Sequence, residues 1–301
     1  MIEAVAAGAV AGGTSLLYPT LGEVISERAG VINLGTEGSM LCGALAAYIV
    51  GIETGNPWIG VLAGLVAGAA LAVVHAVLVL SRGANQLATG VVVSFLGIGA
   101  TALFGQDYVG QGVEPLTDIA IPVLSDIPFL GPVLFDHDPL TYLSLVAAGG
   151  VWWLLFRTRA GVNLRAAGER PEVLTTFGRS ARRIRYAAVI GGGALAGLGG
   201  AQLATAYTRN WSENMVAGRG YIAVGLVIFA AWNPIRAIGG AYLFSGALAL
   251  QLQLQAQGTS ISPFALQALP YVVVIVILAV MSRREASRAP EALVAVFEGR
   301  T

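Results

Sequence analysis

Residues 57–80 contain no Asp, Glu, Lys or Arg, and His75 is their only ionisable side chain. A helix rises about 1.5 Å per residue and the hydrocarbon core of a bilayer is about 30 Å thick, so this run is long enough to cross one. Comparable windows fall at 2–21, 31–50, 86–105, 139–156, 186–206, 218–232, 236–256 and 266–281, giving about nine expected spans with eight to ten as the range. Hydrophobic residues make up 56% of the chain and charged ones 11%, against about 25% charged in an ordinary soluble domain. A fold with so few polar groups cannot cover a water-facing surface. The expected architecture is all-α: a polytopic membrane protein with one transmembrane domain over residues 1–301. The window 218–232 is short for a span, which suits a tilted, broken or re-entrant helix lining a polar cavity.

Arginine sets the expected orientation. The connection 157–185 carries eight Arg, and the tail 282–301 adds Arg283, Arg284, Arg288 and Arg300. The connection 106–138 has no Arg but six acids: Asp107, Glu114, Asp118, Asp126, Asp136 and Asp138. The Arg-rich regions are therefore expected in the cytoplasm and 106–138 outside, with the C-terminus inside and, for nine spans, the N-terminus outside. Proline interrupts 106–138 too often for it to span. It reads equally as a cap over helix ends or as a docking surface for an extracytoplasmic partner.

Several chemistries are excluded. All 17 basic residues are Arg, so the Lys of a phosphate-binding loop and a Schiff-base Lys are both missing. Any ATP-driven work must come from another chain. Zero net charge removes the electrostatic case for nucleic acid. Cys42 is the only cysteine, and His75 and His137 are isolated, so neither a thiolate metal site nor a His-dependent nucleophile is expected, and no cofactor is implied. The apolar N-terminus lacks a basic leader region and reads as a retained first span.

Small residues recur at helical contact spacing: Gly60, Gly64 and Gly68, then Gly193 and Gly197. This pattern lets helix backbones approach closely, here expected within the chain. Polar groups inside apolar windows mark a candidate solute path. Asn33 and Glu37, four apart in the Gly-rich stretch 30–38, would share a helix face and shape a gate; the plainer alternative is an interfacial Glu37 meeting Arg28. Asn85 and Gln86 open the fourth window, where amides suit an uncharged solute but also cap helices. Gln251, Gln253 and Gln255 fan around their helix and have no assigned role.

Within 157–185, the run from Glu169 and Arg170 through Pro171 and Glu172 to Phe177 and Gly178 predicts a helix of about two turns. Pro suits its first position, Glu172 the positive end of its dipole and Gly178 a left-handed stop. Val173, Leu174 and Phe177 would form its apolar face. So short a helix needs a support, either the membrane surface or a cleft on a cytoplasmic partner.

The stretches ERAGVINLGTEGSM (27–40), NQLATG (85–90), IPVLSDIPFLGPVLF (121–135), RTRAGVNLRAAGERPEVLTTFG (157–178) and AGRGYIAVGLVIFAAWNP (217–234) resemble the permease subunits of bacterial ABC importers. The resemblance is to the group for simple sugars, nucleosides and branched-chain amino acids, and most to the shorter permease of the nucleoside branch. It implies a protein of the bacterial cytoplasmic membrane that works by alternating access. Its implied partners are two cytoplasmic ATPase subunits, a second permease and an extracytoplasmic binding lipoprotein. Glu169, Arg170, Pro171, Glu172, Phe177 and Gly178 match the family's coupling helix. Thr36, Ser39 and Thr175-Thr176 depart from its usual apolar or small residues. Sugars, branched-chain amino acids or a flavin suit the same machine, and an ion-coupled transporter using Glu37 as a proton site is the rival class.

Overall fold

A computed structural model describes residues 1–259, 261–285 and 289–297. Arg288 and Arg300 of the expected cytoplasmic tail lie outside the described residues. The helices are α1 (Ile2–Arg28), α2 (Thr36–Thr54), α3 (Pro57–Arg82), α4 (Gln86–Gly105), α5 (Pro139–Arg157), α6 (Arg159–Glu169), α7 (Pro171–Thr176), α8 (Ala181–Gln202), α9 (Arg219–Phe229), α10 (Pro234–Ala256), α11 (Pro263–Glu285) and α12 (Glu291–Phe297). Two-residue strands, β1 (Ile119–Ala120) and β2 (Asp136–His137), pair antiparallel in the connection after α4. Asn56, Asp138 and Asn233 each precede a Pro and accept a backbone N–H of the first turn, fixing the starts of α3, α5 and α10.

Six helical stretches are long and apolar enough to cross a membrane: Ile2–Arg28, Pro57–Arg82, Gln86–Tyr108, Pro139–Arg157, Ala181–Tyr207 and Pro234–Ala256. Helices also occupy the other three expected windows, as α2, the 11-residue α9, and α11. The first window is longer than expected, since α1 continues past residue 21 to Arg28.

α1 is the axis of the molecule. Every residue from Gly12 to Glu27 is buried, so this helix is enclosed all round by protein. It packs on α8, α9, α10 and α5. A second group, α2, α3 and α8, closes through small residues. A Cβ added at Gly68 would lie 2.4 Å from the Gly193 carbonyl, and one at Gly43 would lie 2.4 Å from the Gly197 Cα. The glycine spacing therefore serves packing within the chain. Leu62, Val66, Val92, Phe95 and Phe104 turn outward from α3 and α4, as lipid-facing side chains do.

The molecule has two distinct ends. At one, Arg185 at the start of α8 donates to the Ala29 carbonyl (3.0 Å), so the Arg-rich connection meets the end of α1. At the other, Arg209 pairs with Asp118 at 3.0 Å, joining the chain after α8 to the acidic connection 106–138. Val113 and Leu116 of that connection are buried, and the Leu116 N–H donates to Thr205. Further along, Val123, Phe129, Leu130 and Leu134 are exposed. The first part is a cap, and the second presents an apolar rim.

Candidate functional site

Between α1 and α2 the backbone leaves the helix at Ala29 and does not resume until Thr36. Its polar groups, buried beside apolar helices, each need a partner. Four neighbouring helices supply them. Gln86 Oε1 of α4 accepts the Ile32 N–H (2.9 Å), and His75 Nε2 of α3 lies 3.1 Å from the Ile32 carbonyl. Ser94 of α4 donates to the Leu34 carbonyl (2.7 Å), and Ser26 of α1 to that of Val31 (2.9 Å). Glu23 of α1 accepts the Asn33 N–H (3.3 Å) and the Thr36 hydroxyl. Arg185 of α8 holds the Ala29 carbonyl.

Asn33 and Glu37 therefore do not share a helix face, because Asn33 precedes α2. Gly30, at φ +84°, allows the chain to leave α1, and the Asn33 side chain turns back to accept the Gly35 N–H at 2.9 Å. Nor does Glu37 meet Arg28. Its carboxylate accepts the N–H groups of Gly218 (2.8 Å) and Gly220 (2.7 Å), capping the start of the half-length α9. Arg28 instead donates to the Trp232 carbonyl at 3.2 Å, and the Trp232 indole donates to Glu27 at 2.7 Å. Two broken segments, 29–35 and the chain before α9, thus meet through Glu37.

Asn85 is the N-cap of α4, accepting the Ala88 N–H at 3.0 Å, so capping accounts for it. With Gln86, Arg182 and Arg185 it lines a cavity of about 550 Å³ at the Arg-rich end. Sequence reasoning missed Glu23, Glu27 and Trp232. The signal was available: two acids four apart continue the first apolar window on one helix face.

The predicted short helix is present as α7, with Pro171 at its first position. Gly178 has φ +67°, and the N–H groups of Gly178 and Arg179 return to Thr175 and Leu174, closing the left-handed stop. Its apolar face is narrower than expected. Leu174 alone is buried, whereas Val173 is exposed and Phe177 is 76% exposed. Val173 and Phe177 therefore point away from the rest of the chain, Phe177 lying just past the last helical residue, Thr176. Glu169 accepts the Glu291 N–H of α12 at 3.3 Å, and Arg170 lies 4.0 Å from the Glu291 carboxylate. Glu172 is exposed beside them. Arg185 ties this region to the break, since it donates to Ala167 of α6 (2.7 Å) as well as to Ala29.

No clustered metal ligands occur among the described residues. The family described as "Branched-chain amino acid transport system / permease component" matches residues 6–281. A Haloferax volcanii protein named for glucose ABC transport, as a permease, is 43% identical over 256 residues, 84% of this chain and 78% of its own length. A nucleoside ABC transporter permease of Lactococcus lactis is 34% identical over 279 residues, 88% of each chain. The guanosine ABC transporter permease of Bacillus subtilis is 33% identical over 249 residues, 79% of this chain and 78% of its own. No solved structure gives a significant match. A family match across nearly the whole chain, relatives above 30% identity and six membrane-length helices agree: the chain is a multi-pass membrane protein of the ABC transporter permease family.

Proposed function

We propose that this chain is one permease of an ATP-driven importer for a nucleoside, working with two cytoplasmic ATPase subunits, a second permease and an extracytoplasmic binding protein. Nine spans, with the Arg-rich end in the cytoplasm, suit the helix order. The observation that carries the reading is the Arg185 bridge. One guanidinium grips both α6, beside α7, and the broken entry to α2, so a push on α7 has a short route to backbone deep in the protein. In this reading α7 is the coupling helix, presenting Glu172 and Phe177 to a motor subunit. Asn33, Glu37 and Gln86 form the gate, whose two broken segments shift together when access alternates. Asn85 holds the gate's α4 end.

The 43% relative named for glucose favours a second reading, the same machine carrying a hexose. One experiment tests both: purification of the intact complex in mild detergent, then uptake of labelled guanosine and labelled glucose by reconstituted vesicles with and without internal ATP. Co-purification of an ATPase and ATP-dependent guanosine uptake are expected. Uptake that ignores ATP would overturn the importer reading, and ATP-driven glucose uptake without guanosine uptake would move the substrate to hexose.

A further inference from the structure

Gln251 has no part in the break or in the coupling surface, yet it is nearly buried. It faces a cleft of about 290 Å³ between α9, α10 and α11, walled by Arg219, Phe244, Leu248, Gln251, Gln267 and Tyr271. α10 starts at the Arg-rich end, where the preceding Trp232 bonds Arg28 and Glu27. Gln251 lies 17 residues beyond Pro234 (251 − 234), hence about 25 Å along the helix toward the acidic end. The cleft therefore runs from beside Glu37, whose carboxylate bonds both neighbours of Arg219, toward the side of 106–138.

Its chemistry is selective. Arg219 Nη1 is fixed by the carbonyls of Met215 (3.2 Å) and Val216 (3.3 Å), and its Nε is buried without a partner. Among the described residues Arg219 makes no ion pair. Gln251 and Gln267 each offer a donor and an acceptor. Phe244 and Tyr271 stand edge to face, with centroids 6.0 Å apart and planes at 76°, which leaves an aromatic corner. Paired amides, a guanidinium and a ring face together suit a flat heterocycle with carbonyl and amino groups on its edge.

We infer that this cleft is a solute-contact site and that it takes the base of a nucleoside. The inference rests on the nucleoside reading above. The base lies against Tyr271, its edge reads Gln251 and Gln267, and Arg219 donates to a ring carbonyl. Gln267 and Tyr271 are exposed in the chain, so replacing them removes contacts to solute without emptying a packed core.

The test uses the intact complex in vesicles loaded with ATP, with labelled guanosine and labelled glucose as probes and Gln267→Leu, Tyr271→Leu and Tyr271→Phe as variants. Gln267→Leu and Tyr271→Leu are expected to raise the guanosine concentration for half-maximal uptake roughly tenfold, the factor that losing one contact to solute produces. Tyr271→Phe, which keeps the ring, should stay close to wild type. Wild-type guanosine uptake in both Leu variants would overturn the cleft while leaving the nucleoside reading intact. Failure of the Leu variants to co-purify with their partners would mark the residues as structural and also overturn it. Wild-type transport of glucose but not guanosine would instead remove the nucleoside reading, and the base assignment with it.

Discussion

The Glu37 carboxylate accepts the Gly220 N–H at 2.7 Å, although 183 positions separate the two residues. A Cβ at Gly220 would stand 2.4 Å from the Glu37 Cα, so this closeness depends on glycine. The contact locks the start of α2 to the start of α9, and its loss bears on both stability and transport. Glu37→Leu strands two backbone donors at Gly218 and Gly220. The expected cost is roughly 3 kcal/mol, with uptake abolished. Glu37→Gln keeps one acceptor oxygen and should fall between Leu and wild type. Thermal unfolding in detergent, set beside vesicle uptake, checks the order of the three.

Arg185→Lys should separate hydrolysis from transport. A guanidinium spans the Ala29 and Ala167 carbonyls with two nitrogens, whereas an ammonium is a point charge that reaches one of them well. ATP turnover by the assembled complex should persist while solute moved per ATP falls severalfold. Unchanged stoichiometry would remove Arg185 from the coupling route.

Gly178→Val should act at the same step from the other side. A β-branched residue in the left-handed region costs about 1–2 kcal/mol, enough to loosen the stop that ends α7. Reduced uptake with the chain still inserted in the membrane is expected, read by transport assay and by membrane abundance. Full transport would dismiss α7 as the coupling element.

Gly68→Leu should prevent folding and not merely weaken assembly. Its side chain would enter the space held by the Gly193 carbonyl and the Gly197 Cα of α8. Loss of the chain from the membrane fraction, even when expressed without partner subunits, is the expected result. Normal accumulation of the isolated chain would show that α3 and α8 can separate.

Leu293→Ala tests whether α12 is anchored. Leu293 is fully buried among residues of α1 and its neighbours, and a buried Leu→Ala change costs about 2–5 kcal/mol. Faster proteolysis after the membrane region should report release of the tail, with the helical core still protected.

Much of this was legible in the residues. Apolar length placed helices in all nine windows, and Pro171 and Gly178 marked both ends of α7. The errors have one physical source. A bilayer-length run counted from residue 2 closes at residue 21, so it stops short of Glu23 and Glu27, which are buried where Thr36, Asn33 and Trp232 meet them. Those partners lie up to 205 positions away, and no local pattern contains them. Helical spacing likewise assigned Asn33 and Glu37 to one face, where the backbone instead leaves the helix from Ala29 to Gly35, turning at Gly30. Gln251 had no readable role because the cleft it lines is closed by α9 and α11, elements distant in sequence and joined to it only by packing.

Arg170, Pro171 and Glu172 wall a cavity of about 380 Å³ together with Glu291 and Ala292 of α12. In the importer reading, the face offered to a motor subunit comes from two distant parts of the sequence, one inside the loop and one at the tail. A partner seated there must fit both at once. In that reading, pairing between the permease and its motor works like a key with two separately cut edges, one in the loop and one in the tail.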